Sequence, residues 1–428
     1  MRRLMCACVM ILANRSVAAD VKPGAFEEAV AALAKTGAAV RLSELAPPKV
    51  PDDRNAATAL AGHLKALGEA NNDEYRALDR LLQSPTLDDA GKRRIRAFLD
   101  KQTPVMNALR EALARPQCRW PLDYSSENPL AMVTPHLEAI ERAVRLLGFS
   151  ARLHVEEGRG DEAIAECATM LRLSRGVEEE PLLVSLVMAS SFEESAMQRL
   201  RLTLDSTEPS EKALREALAA VGDPEDRNPV MRALRGERCN LIATFRNLSA
   251  PKGDGLEREL GKDKAGAIRK AAAAELNVTG PKVLALLDRV LANATKPHHI
   301  AKIEWPAVDK EFDAFADDGK PIGNLAAVYG RVLTRIPSLH NRTLAVRHLA
   351  RIGIALRLHR LKHSGLPDDL SGLQPASGVD PFSGKAFVYK KSGDGFLLYS
   401  VDENGRDDGG KTRDDDARNY DCVWRIRR

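Results

Sequence analysis

Between Thr134 and Val221 the sequence keeps one spacing almost without interruption: apolar residues recur three and four positions apart. Leu137, Ile140, Val144, Leu147 and Ala151 fall on one face of a helix that Thr134 can cap and Pro135 can open. Gly158 to Gly160 breaks the pattern, and from Asp161 it resumes with Ile164, Ala168 and Leu171. Pro181 opens a third helix, with Leu182, Leu186, Ala189, Ala196 and Leu200 on its apolar side, and Ser210 can cap a fourth carrying Leu214, Ala217 and Val221. Strands need a period of two, so these ninety or so residues can only bury their apolar side chains as packed helices.

The same reading extends outward. Residues 20–55 hold a short helical pattern followed by a linker rich in Pro and charge, Glu44 to Asp53; residues 56–115 read as two or three helices. Pro116 to Asn128 is irregular, with Trp120, Pro121 and Tyr124 expected to pack on the helices. Residues 222–265 are poorer in pattern, with Pro251 to Lys264 read as a connection. A helix is expected from Pro281 to Ala294, His298-His299 in a loop after Pro297, and a last long helix from about Asn341 to Lys362. Aromatics are only 4% of the chain, which suits helices packed through aliphatic side chains. The expected fold is mainly α, a helical array or solenoid-like body over residues 56–362.

The hairpin centred on Glu157-Gly158-Arg159-Gly160-Asp161-Glu162-Ala163-Ile164, with Leu171 beyond it, resembles the middle of a tetratricopeptide repeat. The resemblance covers about one repeat, and no second copy follows at that period. It implies a close helix pair, with Ala151 and Ala163 at the approach, and no peptide-binding groove.

The N-terminus reads as an export signal, residues 1–19. Arg2 and Arg3 form a basic start, Leu4 to Ala13 is an apolar run too short to span a bilayer, and Val17-Ala18-Ala19 offers small residues for cleavage before Asp20. Removing those residues, which hold Arg2, Arg3 and Arg15 and no acid, takes the net charge from +4 to +1, so no nucleic-acid partner is expected. No later segment has the length and apolarity of a transmembrane span. The expected location is exported, periplasmic or extracellular. Cys118, Cys167, Cys239 and Cys422 would remain, an even number that permits disulfides there without metal or redox spacing.

Past residue 366 the composition changes. Seven of the chain's nineteen aromatics lie in residues 366–428: Phe382, Phe387, Tyr389, Phe396, Tyr399, Tyr420 and Trp424. Phe387 to Tyr389, Phe396 to Val401 and Cys422 to Ile426 read as strands of a small antiparallel β module, the first two joined by Ser392-Gly393-Asp394-Gly395. Asp402 to Asp421 holds eight acids against four bases, a net charge of −4. Such carboxylates, with turns at Asn404-Gly405 and Gly409-Gly410, are the hard oxygen donors that Ca²⁺ takes. Asp402, Asp408 and Asp421 are the first candidates as ligands, with Asn404 and Asp415 next.

Asp380-Pro381-Phe382, Gly384, Tyr389, Leu398-Tyr399-Ser400, Asn404-Gly405, Gly409-Gly410 and Asp421 followed by Trp424 resemble the β-region of major type II secretion pseudopilins, over roughly the last 50 residues. That resemblance implies a calcium-stabilised loop. It departs from the family in one extra residue before the Gly pair, in the Asp414-Asp415-Asp416 run, and in lacking the apolar N-terminal pilin helix, so filament assembly is not implied. The whole chain also resembles a group of uncharacterised exported bacterial proteins that join such a helical body to this module.

His359 and His363, four apart, share a helix face and continue the stripe Ala345, Leu349, Ile352, Leu356, which favours packing over metal binding. No G-x-S-x-G, H-E-x-x-H or phosphate loop is present. The function expected is therefore an exported non-enzymatic scaffold or binding protein with an envelope or protein partner. The alternatives are an exported hydrolase with its site in the helical body, and an accessory of a secretion or pilus-like machine.

Overall fold

The computed structural model describes residues 24–68, 72–82, 84, 86–125, 134–224, 228–250, 257, 261–317, 320–363, 365–373 and 378–427. The expected signal segment lies outside them. In chain order the helices are α1 (Ala25–Lys35), α2 (Ala56–Gly68), α3 (Asn72–Leu82), α4 (Asp89–Ala112), α5 (Pro135–Glu156), α6 (Gly160–Glu178), α7 (Leu183–Ser206), α8 (Glu211–Val221), α9 (Pro229–Ser249), α10 (Lys262–Ala294), α11 (His298–Asp313), α12 (Pro321–Leu333) and α13 (Ile336–His363). Three strands close the chain: β1 (Val388–Ser392), β2 (Gly395–Ser400) and β3 (Cys422–Ile426), an antiparallel sheet in sequence order. The protein is mainly α with a small C-terminal antiparallel sheet, as the sequence indicates.

The apolar stripes build two cores. The first joins α2 to α6, most of α7, α8, α13 and the sheet, and includes Ile140, Leu147, Ile164, Leu171, Leu349 and Trp424. The second joins α1, α9, α10, α11 and α12, and includes Phe26, Phe245, Val283, Trp305 and Phe312. Helix α7 belongs to both. Leu183 and Leu186 lie in the second, while Ala189, Phe192, Ala196 and Leu200 lie in the first.

At the tetratricopeptide-like hairpin, Ala151 and Ala163 are both fully buried, and Gly158 turns the corner at φ +73°. Ser210 caps α8 by accepting the N–H of Ala213 at 3.2 Å, and its own N–H and hydroxyl are held by Asp161 at 2.8 and 2.6 Å. Thr134 precedes α5 but makes no side-chain cap.

Three local expectations need correction. Helix α10 does not begin at Pro281; it runs through it from Lys262, because the preceding Ala-rich turns present Ala265, Ile268 and Ala272 to the core. His298 and His299 are not in a loop: they form the first turn of α11, directly after Pro297. Helix α13 starts at Ile336 and admits Pro337 in its first turn, where no backbone N–H is needed.

The sheet lies on α13 rather than apart from it. Leu398 pairs with Trp424, whose ring covers Gly353, where an added Cβ would stand 2.6 Å from the indole nitrogen. Phe382, Phe387, Phe396, Leu398, Trp424 and Ile426 form one apolar cluster with Leu349, Ile352 and Leu356. The change near residue 366 is thus one of secondary structure, and the core continues across it. Among the described residues no helix is long and apolar enough to cross a membrane.

Candidate functional site

The most concentrated buried chemistry lies at the corner between α6 and α7, where Glu178, Glu179 and Glu180 precede Pro181. Each grips a cationic or polar group from a different element. Glu178 accepts from Arg347 of α13 at 2.7 Å, and the same guanidinium makes two further hydrogen bonds to Glu193 of α7. Glu179 pairs with Arg119 in the segment after α4. Glu180 takes His136 Nε2 at 2.8 Å through one carboxylate oxygen and the Ser185 hydroxyl through the other.

Arg347 is 1% exposed, Glu178 6% and Glu193 5%, so this is an ion triad taken wholly out of water. Burial pulls the Arg347 pKa down, but the charges and hydrogen bonds of Glu193 and Glu178 outweigh it, and the guanidinium stays firmly charged. Trp120 stacks on the His136 ring at 5.2 Å and 15° and closes the cluster from outside. Asn55 holds that strap in place: its amide oxygen accepts the Arg119 N–H at 2.8 Å, and its amide nitrogen donates to the Arg119 carbonyl at 3.0 Å.

Beside the corner, Glu237 of α9 accepts the Leu183 N–H at 3.0 Å and the Asn240 amide at 3.3 Å, and among the described residues no cation pairs with it. Burial raises its pKa from the ordinary 4.5, partly opposed by those two donors. A carboxyl with a raised folded pKa stabilises the fold fully at pH below its unfolded value and loses that contribution as pH rises through the folded one. The stability of the protein should therefore carry a Glu237 component that declines upward from pH 4.5. Glu237→Gln keeps the accepting oxygen, so it should match the parent in acid and exceed it at neutral pH. Thermal unfolding of both proteins from about pH 4 to about pH 8 checks this, and parallel curves would exclude an ionised Glu237 as a cost to the fold.

Ser185, Glu180 and His136 include the residue types of a hydrolytic triad in the wrong order. The serine donates to the carboxylate instead of to the histidine, so no base draws its proton. The four cysteines among the described residues are free, and burial pushes each thiol up to about 12, which disfavours the thiolate a nucleophile needs. They sit apart: Cys118 in the segment after α4 against Gly176, Cys167 inside α6, Cys239 in α9 under Ala39, and Cys422 on β3. A depression of about 230 Å³ lined by Arg76, Glu138, Glu141, Arg142 and Arg145 lies elsewhere and does not open on the corner. The arrangement clamps four helices and a strap.

The expected calcium ligands are placed as follows. Asp402 is 3% exposed at φ +53°, the one non-glycine residue at positive φ among the described residues, and its carboxylate meets Arg342 of α13 and the Glu403 N–H. Asp421 accepts the N–H groups of Gly410 at 2.7 Å and Asp408 at 3.3 Å. Asn404 donates to Asp408 at 2.6 Å and accepts the Arg406 N–H. Asp415 turns away to the Thr412 N–H and hydroxyl, both at 2.8 Å. Asn404, Asp408 and Asp421 are thus linked, while Asp402 and Asp415 are drawn elsewhere. Among the described residues no three His, Cys, Asp or Glu side chains gather as a metal would require.

Burial raises the pKa of Asp402 against the lowering effect of Arg342. Burial also raises Asp421, aided by the neighbouring charges of Asp408 and Asp407. The sequence reading missed Asp380. At 1% exposure it accepts from the Phe382 and Val401 N–H groups and from the Ser383 and Ser400 hydroxyls, tying the turn before β1 to the end of β2. Its signal was the Asp-Pro-Phe turn itself, where an Asp commonly binds the N–H two residues on.

His359 and His363 stack on each other at 4.3 Å, and His359 Nδ1 meets the Gly365 carbonyl at 3.0 Å.

A different kind of site lies on α11. Ile300 and Ile303, one turn apart, are 46% and 75% exposed. The adjoining His299 ring covers Gly384, and Lys302 reaches Gly405, so this helix face runs along the edge of the β module. Val379, in the same turn as Gly384, is 58% exposed. Compared with protein-family models, curated proteins and solved structures, the chain matches none.

Proposed function

We propose that this chain is an exported scaffold or binding protein, and that it presents a protein-binding surface where α11 meets the β module. The observation that carries this reading is the exposed pair Ile300 and Ile303, with Val379 in the neighbouring turn. Large aliphatic side chains held on a rigid helix cost free energy in water, and covering them with a partner's apolar side chains recovers it. The charges of the α6–α7 corner support the same reading from the other side, since Arg347 is paired with Glu178 and Glu193 across three helices and so holds them together. Export rests on the basic start, the short apolar run and the small residues at 17–19.

The double variant Ile300→Asp/Ile303→Asp tests the surface. Both positions are exposed, so the thermal midpoint should stay within about 1 °C of the parent. Capture of partners by the immobilised mature chain from envelope extract should fall by about tenfold or more. Equal capture by parent and variant would place binding elsewhere; capture of nothing specific by the parent would remove the binding reading.

A further inference from the structure

We propose that the acidic loop from Asp402 to Asp421 takes its counter-charge from the protein itself, with Arg342 of α13 standing where a bound metal would otherwise be needed. The loop's eight acids and four bases leave four uncompensated charges. Four cations from outside the loop are brought to it. Arg342 meets the buried carboxylate of Asp402 and lies 5.8 Å from the Tyr420 ring. Lys302 of α11 comes against Gly405. Lys390 of β1 lies 5.5 Å from the ring of Tyr399, whose hydroxyl donates to Asp407 at 2.8 Å. Arg425 of β3 donates to the Gly410 carbonyl at 3.2 Å.

Four further carboxylates, those of Asp407, Asp415, Asp416 and Asp421, are occupied by the loop's own backbone. Asp407 accepts the Gly409 N–H, Asp416 the N–H groups of Arg418 and Asn419, Asp415 that of Thr412, and Asp421 those of Asp408 and Gly410. A cation such as Ca²⁺ needs six to eight oxygens turned inward together. Here the oxygens of Asp407, Asp415, Asp416 and Asp421 are turned onto N–H groups, which is how acidic residues fold a loop without an ion. Arg342 is the member that matters most, because Asp402 is one of the two deeply buried acids of the loop, with Asp421, and Arg342 belongs to the helix on which the sheet rests. One contact therefore neutralises the loop and fastens it to the body.

The test uses the full chain. Thermal unfolding in EDTA and in millimolar Ca²⁺ should give the same midpoint within about 1 °C, and calorimetry should show no heat of Ca²⁺ binding. An ion that bound only the folded state would raise the midpoint by several degrees at about a hundredfold excess over its Kd. Arg342→Met should lower the midpoint by several degrees and speed proteolysis within 402–421 by about tenfold or more. With the Asp402 carboxylate released, Ca²⁺ should now restore part of the loss. Asp402→Asn/Arg342→Met, which removes both charges, should recover most of it and serves also if the single variant does not fold. A midpoint that rises with Ca²⁺ in the parent overturns the proposal. So does a double variant as weak as Arg342→Met, which would give Arg342 a packing role alone.

Discussion

Arg347→Met should cost the protein about 3–5 kcal/mol, the largest loss expected from any single side chain in the helical body. The guanidinium at 1% exposure is the only group bonded to both Glu178 and Glu193 among the described contacts. Methionine fills most of the volume, so the loss is electrostatic: two carboxylates remain buried with their cation gone. A buried carboxylate that loses a cation shifts toward its neutral form, so the deficit should shrink as pH falls. Replacing all three members by apolar residues should cost far less than the single change, because breaking a buried pair is more damaging than never having it. Urea unfolding of the single variant and of Glu178→Leu/Glu193→Leu/Arg347→Met decides the matter. A single variant within 1 kcal/mol of the parent, as an order of magnitude, would show the triad to be hydrated in solution.

Gly236→Ala should be nearly as severe, at about 3 kcal/mol. An added Cβ on this residue of α9 would stand 1.8 Å from the carbonyl oxygen of Pro181 and 2.7 Å from its carbonyl carbon. The obstacle is backbone, so no side-chain rotation relieves it. Either α9 lifts away, breaking the Glu237 bond to the Leu183 N–H, or the corner that positions Glu178 to Glu180 moves. Gly266→Ala is the control. That helical glycine has nothing within 4 Å, and the change should stabilise by about 0.5–1 kcal/mol through the better helix propensity of alanine. Equal effects at the two positions would mean that α9 does not rest on the corner as described.

The sequence carried the helices of the α5–α8 region well because an apolar stripe at three and four runs along each, even where, as in α5 and α6, burial extends to further faces. The same stripes also pass through the two acids of the ion triad, though the sequence analysis did not single them out. Glu178 lies seven positions after Leu171, and Glu193 lies four after Ala189 and three before Ala196, so both occupy core-facing places. A charged residue in such a place needs a partner, and that requirement was legible. Arg347 was not: it lies off the stripe of Ala345, Leu349 and Ile352, and is buried because α13 is covered on several sides. Two-sided burial erases the period that would reveal it. The acidic loop shows a similar limit. Composition gave its charge, but the direction of each carboxylate depended on turns and on Arg342, sixty residues away in sequence.

The sheet's place against α13 sets an order of events. Synthesis delivers α2 to α8 first, yet their core includes Phe396, Trp424 and Ile426, which are made only after α13. Until those arrive, the side of α13 around Gly353 has no cover. The chain therefore cannot complete its first core as it emerges, and the β strands act as its closing stitch. A nascent chain retains an open apolar face until then, the state in which a chaperone can hold it.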